Sequence, residues 1–396
     1  MSEPEFPTPD VNVESIDPEA LKDRIESGEE VFLLDTRVPD DVAEWSIDGE
    51  NVESLNVPYF EFLAGEPDDE VFEQLPDDRE IVVVCAKGGS SEYVAGELVE
   101  EGYDAKNLAD GMKGWARIFE YVEIDADTDA TVAQYQRPSS GCMSYLVVSG
   151  DEAAVIDPLR AFTDTYRQDA RALGADLKYA IDTHVHADHV SGVRALVDEG
   201  IEGVLPAAAI DRGVTYDDAV THAEDGDAFA VGDAEIETVF TPGHTSGMTS
   251  YLVDDAVLLT GDGLFAESVA RPDLEGGDEG APDAARQLYE SLQERILTLD
   301  DDVVVGGAHF GDAADTRADG TYTETIGNLK EKMDALTMDE DAFVELVLSD
   351  MPPRPANYEE VIATNLGQED RSDEEAFELE LGPNNCAASS DAMTSD

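Results

Sequence analysis

A chain of 396 residues with 93 acidic and 23 basic side chains carries a formal charge of −70, which excludes nucleic acid, polyphosphate and anionic membranes as partners. Hydrophobic residues still make up 42%, and intact apolar runs recur between the acidic stretches, so a disordered chain is excluded as well. The length suits two domains with separate cores, and the composition fits an acid-surfaced, cytoplasmic, halophilic enzyme whose self-repulsion is screened by salt.

The N-terminal MSEPEFPTPD has neither a positive region nor an apolar stretch, so no signal peptide or anchor is expected. Between Val11 and Val122 strand and helix patterns alternate: FLLDT ends its apolar run at Asp35, IVVVC ends at Cys85, and SEYVAGELVEEG has helical spacing closed by Gly102. Residues 11–122 therefore form a small α/β domain, and the acidic EIDADTDA at 123–130 reads as a linker. MSYLVV and AAVID then read as adjacent strands, TYRQDARALG as a helix and KYAID as a strand. The alternation continues through VVVGGAH, which gives a second domain over 131–335 built of sheet layers covered by helices. TETIGNLKEKMDAL and EDAFVELVLS read as terminal helices, a helical and proline-rich cap occupies 336–367, and the acidic tail 368–396 is expected to be disordered. Three distant cysteines, Cys85, Cys142 and Cys386, argue against a disulfide framework and for a reducing compartment.

Five of the six histidines fall in THVHADH at 183–189, TPGH at 241–244 and GGAH at 306–309, each just after an apolar run. Strand ends carrying His184, His186, Asp188, His189, His244, Asp262 and His309 suggest one metal site. In extended backbone His184 and His186 face the same way, while Asp188 and His189 begin the next helix and face a neighbouring position. His222, in the acidic DDAVTHAEDGDAF, lacks a partner motif and is left out.

The HxHxDH pattern with His244, Asp262 and His309 resembles the metallo-β-lactamase superfamily over roughly residues 131–335. That resemblance implies an αββα sandwich. Within the superfamily, ARPDL with Arg271 and Asp273, and the segment ending in Asn365, are similar to the persulfide dioxygenase branch. The branch implies one iron(II) per chain held by His184, His244 and Asp262, with Arg271 near the sulfur substrate. His186, Asp188, His189 and His309 then form a second position or support the first. Arg271 reads nearly as well as half of an ordinary salt bridge. The alternative is a glyoxalase II-type thioesterase with two zinc ions on all seven residues. After His309 the chain reads FGD where relatives carry an aromatic segment that helps bind glutathione, so the thiol carrier is open.

Cys85 is followed by Ala86, Lys87, Gly88, Gly89, Ser90 and Ser91 and then a helix. Loop N–H groups, a positive helix end and a nearby lysine all favour a thiolate; the bland alternative is an inert cysteine finishing a core strand. LLDTR at 33–37, CAKGGSS and LADGMKGW resemble a rhodanese domain over about residues 12–120, which implies that Cys85 carries a persulfide. Cys142 and Cys386 have no such loop and are expected to be structural or incidental. The combined expectation is a sulfur-metabolism enzyme: a persulfide dioxygenase that takes a thiol persulfide and dioxygen to thiol and sulfite, fused to a sulfurtransferase handling sulfite or thiosulfate. A persulfide carrier or sensor is the non-enzymatic alternative.

Overall fold

The computed structural model describes residues 9–63, 69–311, 314–349, 351–355, 357–382 and 388. Cys386 lies outside them. The chain divides between Ile118 and Phe119 into two compact units. Among the described residues no helix is long and apolar enough to cross a membrane.

In the first unit, strands β1 (Glu14–Ile16), β2 (Val31–Asp35), β3 (Val52–Asn56), β4 (Ile81–Val84) and β5 (Ala105–Leu108) form one sheet in the order β1-β5-β4-β2-β3. All its pairings are parallel. Parallel sheets are covered on both faces, which is why VFLLD and IVVV are apolar without alternation. Phe32, Leu34, Ile81 and Val83 pack into one core, and Val31, Leu33, Val82 and Val84 into another. Helix Gly89–Glu100 follows β4 directly after the cysteine loop.

The second unit holds two sheets. β6 (Glu120–Glu123), β7 (Thr131–Gln136), β8 (Met143–Ser149), β9 (Glu152–Ile156), β10 (Asp176–Ile181), β11 (Glu202–Pro206) and β12 (Val220–Ala223) lie in the order β12-β11-β10-β9-β8-β7-β6. β13 (Ala228–Val231), β14 (Ala234–Phe240), β15 (Thr249–Val253), β16 (Val257–Gly261), β17 (Val304–Gly307) and β18 (Thr323–Thr325) follow one another in sequence order. Alternate side chains divide between layers. Tyr145 and Val147 of β8 meet Tyr251 and Leu259 of the other sheet in the central core. Leu146 and Val148 instead pack outward with Tyr166 of helix Thr163–Ala172. Leu258 faces Leu288 and Phe343 of helices Gly277–Ser291 and Glu340–Ser349. The layers are thus helix, sheet, sheet, helix, as the sequence leads one to expect.

Three boundaries differ from expectation. Glu120–Glu123 pairs with β7 and so belongs to the second unit, and in the expected linker Ile124 and Ala130 are buried in the inter-sheet core. Helix Val193–Asp198 begins well after Asp188 and His189, which lie in a loop. Residues Asp373–Leu379 of the expected disordered tail form a helix. A capping box between Ser372 and Glu375 starts it, and Ala376, Phe377 and Leu379 are buried.

Candidate metal centre and cysteine loop

β14, β16 and β17 run in the same direction, so His244, Asp262 and His309, each just past one of their C-terminal ends, leave the six-stranded sheet on one side. Loop 182–191, which follows β10, brings His184, His186, Asp188 and His189 to the same place. A tight turn delivers His244: a Cβ on Gly243 would stand 2.4 Å from Leu288 Cα, and its φ of +148° is one that side chains rarely adopt.

His184, His244 and Asp262 offer ligand atoms that all lie within 4.8 Å of one another, and all three residues are buried. Nε2 of each histidine is 3.4 Å from Asp262 Oδ2, and none of these three atoms makes a hydrogen bond. Buried polar atoms are otherwise almost always paired. The opposite ring nitrogens are committed. His244 Nδ1 donates to the Arg271 carbonyl at 2.9 Å. His184 Nδ1 meets Thr183 Oγ1 at 2.9 Å, and that hydroxyl donates to Asp157 Oδ2. A proton held on Nδ1 leaves Nε2 with a lone pair aimed at the gap, the tautomer a metal ligand requires. Burial, reinforced by His186, lowers the His184 pKa to about 4, and burial lowers that of His244. Both rings are neutral at ordinary pH.

The neighbouring position also has orphaned ring nitrogens, His186 Nδ1 and His189 Nε2, and His186, Asp188 and His189 likewise bring ligand atoms within 4.8 Å of one another, but its carboxylates are more heavily engaged. His309 Nδ1 and Nε2 each lie 2.8 Å from a carboxylate, Asp262 Oδ1 and Asp188 Oδ2. His189 Nδ1 is also 2.8 Å from Asp188 Oδ2, and the Cys142 thiol donates to the same oxygen at 3.2 Å. His186 Nε2 meets Asp157 Oδ1 at 3.1 Å. Burial disfavours charged rings here, yet the carboxylates outweigh it: His309 and His186 are held well above their usual range and His189 is raised to about 9. Asp188 and Asp262 are held well below theirs, the adjacent histidines outweighing burial.

Arg271 is 1% exposed. Its guanidinium forks onto Asp273 at 2.8 and 3.1 Å and reaches the Pro353 carbonyl at 2.8 Å. It pins the proline-rich cap, while its own carbonyl orients His244. Arg271 and Asp273 thus form a buried ion pair, where the sequence offered a substrate-facing arginine or an ordinary surface salt bridge. His222 is exposed, and its ring meets the Asp217 carbonyl.

In the first unit Cys85 Sγ accepts from the Gly88 N–H at 3.1 Å and the Ser91 hydroxyl at 3.0 Å. Ser91 Oγ also lies 2.6 Å from Asn107 Oδ1. Gly88 takes a left-handed φ of 85° to turn the loop into the helix. Gly111 of LADGMKGW closes the loop from behind, since a Cβ there would stand 2.1 Å from the Cys85 carbonyl.

The sequence pattern of the metallo-β-lactamase superfamily matches residues 138–309, a span that contains all seven metal-site candidates. Hydroxyacylglutathione hydrolase of Brucella anthropi is 30% identical over 240 residues, which cover 56% of this chain and 86% of that protein. The chain belongs to the metallo-β-lactamase superfamily. It is similar to another superfamily protein, mitochondrial persulfide dioxygenase ETHE1 of Homo sapiens, at 29% identity over 238 residues, 59% of this chain and 86% of the human one. The crystal structure of ETHE1 from Myxococcus xanthus is 26% identical and covers 60% of this chain and 98% of its own, with a TM-score of 0.51. The pattern of the rhodanese-like domain matches residues 17–118, ahead of the superfamily domain.

Several residues that shape the metal site or the cysteine loop escape a reading of the sequence. Cys142, expected to be structural or incidental, touches Asp188 because its backbone bridges to His309. Asp157 takes a φ of 52° and accepts from the Thr183 N–H and hydroxyl; its one signal is an acid ending the AAVID run. Asn107, a buried amide in β5, gives no signal beyond its polarity in an apolar strand.

Proposed function

We propose that this chain is an iron-dependent persulfide dioxygenase joined to a rhodanese sulfurtransferase. One observation carries the metal reading: Nε2 of His184, Nε2 of His244 and Oδ2 of Asp262 are buried, mutually close and make no hydrogen bond. His309, by contrast, is engaged on both nitrogens. Two imidazoles and a carboxylate fit iron(II), whose bound form supplies dioxygen activation at open coordination positions. Similarity to persulfide dioxygenases favours a low-molecular-weight persulfide as substrate. The reaction is persulfide plus dioxygen plus water giving thiol, sulfite and two protons. Here Thr183 and the Arg271 carbonyl hold the imidazole tautomers, and Asp157 orders the loop through Thr183 and His186.

In the first unit the Cys85 thiolate attacks a sulfane sulfur. With thiosulfate, a Cys85 persulfide forms as sulfite leaves with the electron pair of the broken S–S bond; the reverse step returns thiosulfate. The Gly88 N–H and Ser91 hydroxyl steady the anionic sulfur. The deciding experiment measures oxygen uptake with a thiol persulfide beside hydrolysis of an acyl-thiol by anaerobically purified protein. Oxygen uptake with sulfite release, and one iron per chain, is the expected result. Hydrolysis without oxygen use, on two zinc ions, overturns it in favour of a thioesterase.

A further inference from the structure

We propose that the C-terminal segment, acting through Asn365 and Glu380, is a positioning element of the metal centre. The proposal rests on the reading that His184, His244 and Asp262 bind a divalent cation, and not on which reaction follows.

Loop 182–191 leaves β10 and carries four of the seven candidate ligands outside any strand or helix. Its backbone polar groups must find partners elsewhere. Those nearest β10 use Val204, Thr249, Tyr251 and Asp157, and four between His186 and Ser191 are met by two side chains from far along the chain. Asn365 Nδ2 donates to the His186 and His189 carbonyls at 3.0 and 2.9 Å, and its Oδ1 accepts from the Ser191 N–H at 2.9 Å. Glu380 Oε1 accepts from the Val190 N–H at 3.0 Å. Four hydrogen bonds thus fix the path of the backbone between His186 and Ser191.

Two apolar residues of this stretch, Ala187 and Val190, are covered largely by the same segment. Val190 packs with Val361, Ala376 and Leu379, and Ala187 with Leu274, Tyr358 and Ile362. The other carboxylate oxygen of Glu380 pairs with Arg137 Nη1 at 2.7 Å, and both side chains are fully buried. Arg137 lies against the Phe162 and Phe377 rings, 5.5 and 5.3 Å from their centroids. Its carbonyl accepts from the Ser140 and Gly141 N–H groups, in the turn that presents Cys142 to Asp188. A buried ion pair adds little net stability for the desolvation it costs. Glu380 therefore matters for where it holds things: it joins the turn before Cys142 to the loop of His189. Neither residue touches the candidate metal atoms, so both act through the ligands.

The test uses the full-length protein stripped of metal and titrated with cobalt(II), whose visible absorption reports ligand geometry whichever metal is native. Asn365→Ala removes three hydrogen bonds without stranding a charge. It is expected to weaken cobalt binding tenfold or more and to alter the absorption bands while far-ultraviolet circular dichroism stays parental; changes of that size are typical when groups behind metal ligands are lost. Glu380→Ala should do the same, and Glu380→Gln, which keeps an oxygen for the Val190 N–H, should recover part of the affinity. Parental affinity and parental bands in folded Asn365→Ala overturn the proposal, even if Glu380→Ala proves too unstable to purify. Failure of the oxygen-uptake experiment leaves the cobalt result unchanged, so the two readings fail separately.

Discussion

His184 and His189 stand on one loop and carry opposite shifts, and the sign of each makes the metal-free protein sensitive to pH on both sides of neutrality. Both rings titrate near 6.5 in the unfolded chain. Burial, with His186 adding to it, lowers His184 to about 4 in the folded state. Between these values the unfolded chain binds a proton that the folded one refuses, so stability falls as pH drops through the window. For His189 burial acts the same way, but Asp188 outweighs it and raises the ring to about 9. Its contribution is fully present below 6.5 and is lost as pH rises toward 9. Each limb is worth on the order of 3 kcal/mol before coupling to neighbours. Chelator-treated protein melted at constant salt should therefore show its highest midpoint between the two limbs. A midpoint that climbs steadily from acid to alkali would contradict the assignment. At the other site, Cys85→Ser should abolish sulfur transfer while oxygen uptake on a supplied persulfide stays within about twofold of parent, since removing one thiol leaves the histidine and aspartate triad intact. Equal loss of both activities would show that the two sites are not independent.

At the scale of elements, what the sequence makes legible is decided by burial pattern. β2 and β4 stand out because a parallel sheet covered on both faces needs unbroken apolar runs. Asp262 and His309 stand out because they follow fully buried strands, and His184 and His244 because they follow strands whose last residues are apolar. The helix Asp373–Leu379 does not stand out. Only Ala376, Phe377 and Leu379 of EEAFEL and its flanks are buried apolar residues, and an acidic sequence hides them. Ile124 and Ala130 are hidden in the same way inside EIDADTDA. The expected helix start at Asp188 fails for another reason: Asn365 and Glu380 take four backbone groups between His186 and Ser191 that a helix would use for itself. Glycines tell more than they first seem to offer. Gly111 has a φ of 57° and would place a Cβ 2.1 Å from the Cys85 carbonyl. Gly111→Ala must therefore push the cysteine loop open. The expected outcome is a loss of sulfur transfer of about tenfold or more with cobalt binding unchanged, measured on the same preparation, because strain at such a position costs roughly 1–3 kcal/mol. Full sulfur transfer in this variant would mean that the loop does not need its present closure.

At the scale of the whole molecule the dominant quantity is the charge of −70. Like charges destabilise a compact state, because folding brings them closer than they sit in the expanded chain. Salt weakens this repulsion over a distance that shrinks from about 10 Å at 0.1 M to about 3 Å at 1 M. Surface carboxylates that repel one another at the lower concentration are therefore nearly independent at the higher one. Basic residues cannot do the same work, since 23 of them face 93 acids. Several are already committed within their own neighbourhoods, such as Arg137 to Glu380 and Arg271 to Asp273. Stability should therefore rise steeply with potassium chloride up to about 1 M and then flatten as screening is completed. The measurement is a thermal midpoint taken across that range at fixed pH. Sodium chloride should give a closely similar curve if screening is the cause, since screening depends on ionic strength rather than on the identity of the cation. A midpoint independent of salt would remove the charge from any role in stability, and a response to one cation alone would point to specific ion binding instead.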